Sequence, residues 1–163
     1  MSLIFALALA AQMSSQTTPV QPIVKGTGLP PPGTDEGAVM APINALFAGL
    51  AARDPAAILA PLRPEGGATV ANEAPNGVRT VRHMTWTEFA ASVKPGPEKY
   101  EERISDPAIE IDGDIAMVWA PYTFFIDGKA HHCGMDHFDL VREAGTWKIV
   151  NITWTARATG CEG

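Results

Sequence analysis

Positive charge is scarce in this chain and never clustered. Twelve Lys and Arg stand against 18 Asp and Glu, for a net charge of -6, and no basic run occurs anywhere. Nucleic acid and anionic membrane surfaces both demand a basic face, so neither is expected as a partner. Cysteine is nearly absent: Cys133 and Cys161 are the only two. No zinc-finger spacing, phosphate-cradling glycine loop, nucleophile motif or dinucleotide fingerprint is present. No metal or cofactor is therefore expected. There is also no apolar run long enough to span a bilayer. The longest, Leu3 to Ala11, falls well short of the ~20 residues a span requires.

That short run is informative in another way. It is rich in Leu and Ala, ends in small residues and precedes the first charged side chain, Lys25. Residues 1–12 read as the hydrophobic part of a signal peptide, although only the amino terminus supplies positive charge in front of it. Residues 13–33 are rich in Ser, Thr, Gln, Pro and Gly and include Pro30-Pro31-Pro32, a linker composition. The expected compartment is periplasmic or secreted. The remaining residues, 34–163, are about one domain long and can bury a core.

Within them helical spacing comes first. Val39, Ile43, Leu46, Phe47 and Leu50 form one apolar stripe. Pro42 lies inside it, so the helix is expected either to start near Met40 or to kink. Asp54-Pro55 has the form of an N-cap followed by Pro at the first helical position, opening a short helix to about Leu62. Short strands follow at Ala68 to Glu73 and Val78 to Met84, then a capping box at Thr85-Trp86-Thr87-Glu88. From Tyr100 the pattern is strand after strand: Tyr100 to Ile111, Ile115 to Ile126, Ala130 to Arg142 and Trp147 to Arg157. Asp112-Gly113-Asp114, Asp127-Gly128 and Ala144-Gly145 supply the turns. Helices followed by a meander of long strands mean α+β with an antiparallel sheet. One helical stripe cannot cover four long strands lying flat, so the sheet must curl, leaving a hollow at its open end.

The chain's last third carries a specific resemblance. Asp127-Gly128, His132-Cys133-Gly134, Asp136, Phe138, Leu140-Val141-Arg142 and Trp147-Lys148-Ile149 resemble the nuclear-transport-factor-2-like superfamily. The group labelled putative lumazine-binding, a neighbour of the SnoaL-like proteins, is the nearest in pattern. The resemblance covers about Asp35 to Cys161. It implies a cone-shaped α+β barrel, a curved antiparallel sheet wrapped around N-terminal helices, often dimeric. Members include ketosteroid isomerase, epoxide hydrolases and polyketide cyclases, so the resemblance implies a fold rather than one chemistry.

The turns predict which side chains share a face. With two-residue loops at Asp127-Gly128 and Ala144-Gly145, Trp119 falls opposite Asp136, Leu140 opposite Ile149 and Asp136 opposite Thr153. One face then carries Met117, Trp119, His132, Asp136, Phe138, Leu140, Trp147, Ile149, Asn151 and Thr153. This is taken as the concave face. Val150, Ile152 and Trp154 fall on the other, where they suit a homodimer contact. A bulge, for which Pro121 is a candidate, would flip part of the assignment.

Asp136 is the leading functional candidate. On a mostly apolar face burial would raise its pKa and fit it for general acid or base work; equally, it could accept hydrogen bonds from Thr153 and a backbone amide and serve only to fix register. His132 could polarise a ligand carbonyl or orient Asp136, or simply be half-buried. Trp119 is either a pocket wall for a flat ligand or core. Tyr122 offers a hydroxyl if a bulge turns it inward. Asn151 and Thr153 could bond a ligand or Asp136. No second acid is expected on the concave face.

His131, His132, Cys133, Asp136 and His137 do not make a metal site, because strand alternation sends them to opposite faces. Cys133 pairs with Ala156 in this register, which brings the tail and Cys161 within the ~4.4–6.8 Å that a disulfide needs between Cα atoms. Such a bridge would stabilise by about 3 kcal/mol. The expected function is binding of a small apolar or aromatic molecule by an exported protein. The alternative is a SnoaL- or ketosteroid-isomerase-like enzyme with Asp136 as general base.

Overall fold

The computed structural model describes residues 34–161. The signal-peptide-like and linker segments lie outside the described residues.

Helix α1, Thr34–Ala52, runs without interruption through Pro42. It starts at Thr34 rather than near Met40, and Pro42, lacking an amide hydrogen, leaves one bond to the preceding turn unmade. Val39, Ile43 and Leu46 are almost wholly buried and Leu50 nearly so, while Phe47 is partly buried against the same core. Arg53, in the left-handed region at φ 54°, ends the helix. Asp54 caps α2, Pro55–Leu59, by accepting from the amides of Ala56 and Ala57 at 2.9 and 3.3 Å. The two helices meet at Gly49, where a Cβ would come within 2.7 Å of the Ile58 amide nitrogen. Helix α3, Trp86–Ser92, starts on the expected capping box of Thr85 and Glu88. Its first residue is anchored by Trp86 Nε1 donating to the Arg63 carbonyl at 2.7 Å.

The strands are β1 Leu62–Glu73, β2 Arg79–Thr85, β3 Tyr100–Ile104, β4 Ala108–Asp112, β5 Ile115–Ile126, β6 Lys129–Glu143 and β7 Thr146–Arg157. The region expected as one strand, Tyr100 to Ile111, is therefore two. The break falls at Ser105-Asp106-Pro107, where Asp106 has φ 43° and proline cannot donate to the ladder. Both pieces pair with β5.

The sheet is curved and unclosed, in the order β2-β1-β7-β6-β5-β3 with β4 also on β5. Every pair is antiparallel except β1 with β7, which are parallel, a departure from the all-antiparallel expectation. The β1–β2 hairpin joins the far side of β7 by a crossover through the rest of the domain rather than by a turn. The concave face closes on the helices: Val118, Phe138, Leu140 and Ile149 share one buried core with Ile43 and Leu46 of α1 and Ile58 of α2. A side chain such as Phe138, 1 % exposed, gains about 1.5–3 kcal/mol from that burial. No helix among the described residues is long and apolar enough to cross a membrane.

Candidate functional site

Two irregularities decide what faces inward. Near the turns the register is the expected one: Ile126 pairs with Lys129, Leu140 with Ile149, and Glu143 with Thr146. Between β5 and β6 it shifts at once, because Phe125 faces Ala130 while Phe124 faces His132, leaving His131 as the extra residue. The bulge is at His131, not at Pro121. A one-residue slip sends every later side chain of β5 to the other face. Trp119 accordingly pairs with His137, not Asp136, and is 46 % exposed on the outer face. Between β6 and β7 a second shift leaves Val150 unpaired, so Asp136 faces Trp154 and Phe138 faces Ile152. Asn151 and Thr153 are exposed on the outer face. Ile152 and Trp154 turn inward instead of outward.

Of the six expected ligand contacts, the structure brings together Tyr122, His132 and Asp136, and places Trp119, Asn151 and Thr153 outside. The three inner residues line a cavity of about 360 Å³ between the open end of the sheet, α1 and α3. Its walls are apolar: Leu46, Phe47 and Leu50 from α1, Phe89 and Val93 from α3, Phe124 from β5 and Trp154 from β7. Trp154 and Phe89 meet edge to face at 6.0 Å. Arg53 braces one rim. Its guanidinium lies 3.8 Å over the Tyr100 ring, donates to the Lys94 carbonyl at 3.1 Å and pairs with Glu98 at 2.8 Å. It thereby ties the end of α1 to the start of β3.

The polar part of the cavity is a pair of acids. Asp136 is 3 % exposed, and beside it, from β3, stands Glu102, which also lines the cavity. The concave face thus holds the second acid that was not expected. The two carboxyls hydrogen-bond each other, which requires that one of them carry a proton. Burial raises the pKa of both. Glu102 is pushed up to about 7, with its bond to Asp136 opposing the rise. Asp136 rises well above the ordinary carboxylate range, through burial first, then the charge of Glu102 and the bond to it. Burial thus leaves the two acids holding a proton between them, and they titrate as a pair. No amide, hydroxyl or amine among the described residues donates to the buried Asp136 Oδ2. The donors a register-fixing role would use are elsewhere: Thr153 points out, and the Met135 amide donates to Thr155 Oγ1 at 2.9 Å.

The bulge also lets consecutive residues His131 and His132 both line the cavity. Their Nδ1 atoms are 2.9 Å apart, one donating to the other. His132 stacks on Phe124 at 5.0 Å and meets Tyr122 edge to face at 5.7 Å. Burial, with help from His131, lowers its pKa to about 4, so it is a neutral imidazole at pH 7. Tyr122 donates its hydroxyl to the Thr155 carbonyl at 3.0 Å. Burial, then the nearby acids, raises its pKa and keeps the phenol protonated.

Outside the cavity, Cys133 and Cys161 form the expected disulfide, with Cα atoms 5.6 Å apart. Cys133 pairs with Arg157 rather than Ala156, a shift of one that the Val150 bulge accounts for. Among the described residues no group of three or more His, Cys, Asp or Glu side chains is placed to hold a metal ion.

The sequence model of the family described as "Putative lumazine-binding" matches residues 34–155, which is all of α1 through most of β7. The chain belongs to this family. No curated protein matches the chain, but many solved structures do. An NTF2-like protein from Cytophaga hutchinsonii is 15% identical with a TM-score of 0.59, over 77% of this chain and 100% of the other. An NTF2-like protein of unknown function from Shewanella baltica is 15% identical with a TM-score of 0.57, over 76% and 94%. A protein of unknown function with a cystatin-like fold from Nostoc punctiforme is 13% identical with a TM-score of 0.58, over 77% and 92%. At such identities the likeness establishes the shared NTF2-like fold. In this member of the family, the cavity residues stand on their own geometry.

Glu102 is the residue that sequence reasoning missed. A signal was available: Tyr100, Glu102 and Ile104 alternate along one short strand, and a carboxylate at an inward position between two apolar residues is unusual.

Proposed function

We propose that the cavity binds a small, largely aromatic or apolar molecule. The observation that carries this reading is the Asp136–Glu102 carboxyl pair, buried in a wall of aromatic and aliphatic side chains with no donor directed at Asp136 Oδ2. Buried polar groups left without fixed partners are costly unless something uses them, and pockets for small molecules combine apolar walls with a few such groups. Tyr122, His132 and Asp136 are the contacts retained from the sequence; Glu102 and His131 join them. The test is a native mass spectrum of the purified protein beside its denatured mass. A small molecule released on denaturation is expected, and Asp136→Asn should lose it while keeping the fold. Retention of the molecule by that variant would remove Asp136 from the site.

A second reading has one observation in its favour. The two acids share a proton at the cavity wall, and Glu102, pushed up to about 7, ionises where a general base works best. Proton transfer or water activation would then use one carboxyl of the Asp136–Glu102 pair as base and the other as acid, with His132 as a neutral hydrogen-bonding partner. Activity with a bell-shaped pH profile, lost in Asp136→Asn, would establish it.

The proposal includes export to a periplasmic or extracellular compartment, supported by the disulfide. It also includes self-association as a homodimer through the outer sheet face, supported by Ile115 at 59 % and Trp119 at 46 % exposure. Light scattering on the wild type and Trp119→Glu would test the latter, and a monomeric wild type would refute it.

A further inference from the structure

The proposed pocket has a charge preference built into it. We propose that its ligand carries a cationic nitrogen, an amine or amidine on an apolar or aromatic body, and that this nitrogen seats on the Asp136–Glu102 carboxyl pair. The inference rests on the binding role proposed above and names the chemical class that fits it.

On β3 and β5 the titratable neighbours are Tyr100 and Tyr122; on β6 they are His131 and His132. Helices α1 and α3 contribute Leu46, Phe47, Leu50, Phe89, Ser92 and Val93, and β7 contributes Ile152 and Trp154. Among the described residues that line the cavity there is no Lys or Arg. Arg53 and Arg103 are spoken for: Arg53 bonds Glu98 and covers the Tyr100 ring, and Arg103 bonds Glu101 and covers the Phe125 ring. Arg157 is exposed and does not line the cavity.

A carboxylate, sulfate or phosphate would thus enter a largely apolar cavity against two acids with no cation in its lining to meet it, which makes its entry costly. A neutral ligand could bond the pair but would leave its negative charge uncompensated above neutral pH. A cationic nitrogen does both. It donates to Asp136 Oδ2, the buried acceptor that no described group reaches, and it cancels the charge that makes the pair costly. Because the pair is protonated below neutrality, seating the cation ejects a proton to solvent. The charge balance is plain: one cation enters and one proton leaves.

Three probes of one shape separate the possibilities: 2-naphthylmethylamine, 2-naphthylmethanol and 2-naphthoate. Calorimetry at pH 7.5 on the full chain is expected to show the amine binding at least tenfold more tightly than the alcohol, with the naphthoate weakest. At pH 6.0, in buffers of different ionisation enthalpy, amine binding should release close to one proton and alcohol binding none. Glu102→Gln and the double variant Glu102→Gln/Asp136→Asn should both bring the amine down to the alcohol's affinity. Either variant suffices if the other fails to fold. Equal or tighter binding of the alcohol by the wild type, or an amine preference that survives both variants, overturns the inference while leaving the pocket as a binding site. If none of the three binds and no molecule co-purifies, the binding role falls with it.

Discussion

Replacing the acid pair with its neutral isosteres should make the protein more stable, and increasingly so as pH rises. Glu102→Gln/Asp136→Asn keeps the shapes and allows one amide to donate to the other, so packing is held constant. What changes is the penalty for ionising a carboxyl among apolar walls. Glu102 has an ordinary value of 4.5 and a folded value of about 7. A carboxyl whose folded pKa is raised leaves stability intact below its unfolded value and withdraws it as pH climbs through the folded one. At about 1.4 kcal/mol per pH unit, the loss from Glu102 alone approaches about 3 kcal/mol by pH 7 and levels off above it. Asp136, raised still further, adds a loss of the same sign. Carboxyls with lowered values, such as Glu88 and Glu101, act oppositely but identically in both proteins, so they cancel in the difference. The assay is urea unfolding of wild type and variant at half-unit steps from pH 4.5 to 8. The gap between the two is expected to open by about 3 kcal/mol or more over that range. Parallel curves would mean that the pair is solvated and ionised like any surface carboxylate, and both the binding role and the cation preference would lose their footing.

Other perturbations test other parts of the structure. His132, lowered to about 4 by burial, titrates in the opposite sense: its folded value lies below its unfolded one, so it withdraws stability as pH falls from about 6.5 to 4. His132→Gln should therefore gain on the wild type in that acid window and not above pH 7, by the same unfolding assay. Reduction of the Cys133–Cys161 disulfide, which spans 28 residues of sequence, should lower stability by about 3–4 kcal/mol in the loop-entropy model, seen as a fall in Tm on adding reductant that Cys133→Ser/Cys161→Ser does not show. Gly134→Ala should destabilise sharply, since a Cβ there collides with the Thr155 carbonyl; a variant with wild-type Tm would mean that β6 and β7 can separate at that point without loss.

Where the sequence could be read and where it could not follows from the reach of local rules. Asp127-Gly128 and Ala144-Gly145 have positive φ at both positions, as two-residue hairpin turns require, and the pairs next to them come out as expected. Each further pair is inferred by counting, and counting fails at the first extra residue. His131 and Val150 are such residues, and nothing in their chemistry announces it. Trp119, Asn151 and Thr153 fall on the outer face for that reason alone, while His132 and Asp136, on the strand between the two bulges, keep their inward side. Tyr122 turns inward as a bulge was expected to make it, though from a different position. Glu102 lies beyond the Ser105-Asp106-Pro107 break and pairs with β5 without a hairpin of its own, so no turn carries register to it. The helical stripe from Val39 to Leu50 was legible because a helix's burial depends on its own period, not on a distant partner. Of the two readings of Pro42, the late start near Met40 is not what is found: the helix begins at Thr34 and carries the buried Pro42 within it.

The parallel pairing of β1 with β7 has a consequence for how the chain assembles as it is made. Strand β7 lies between the β1–β2 hairpin and the β6–β5–β3 group, yet it is the last of the described strands to be synthesised. Until residues near Arg157 have emerged, the early hairpin has only solvent on the flank meant for β7, and α1 has only part of its concave bed. The domain cannot therefore mature gradually from its amino end. It must wait, with open strand edges, for one late segment that joins both halves at a stroke, and a chaperone that shields edges would act on it during that interval.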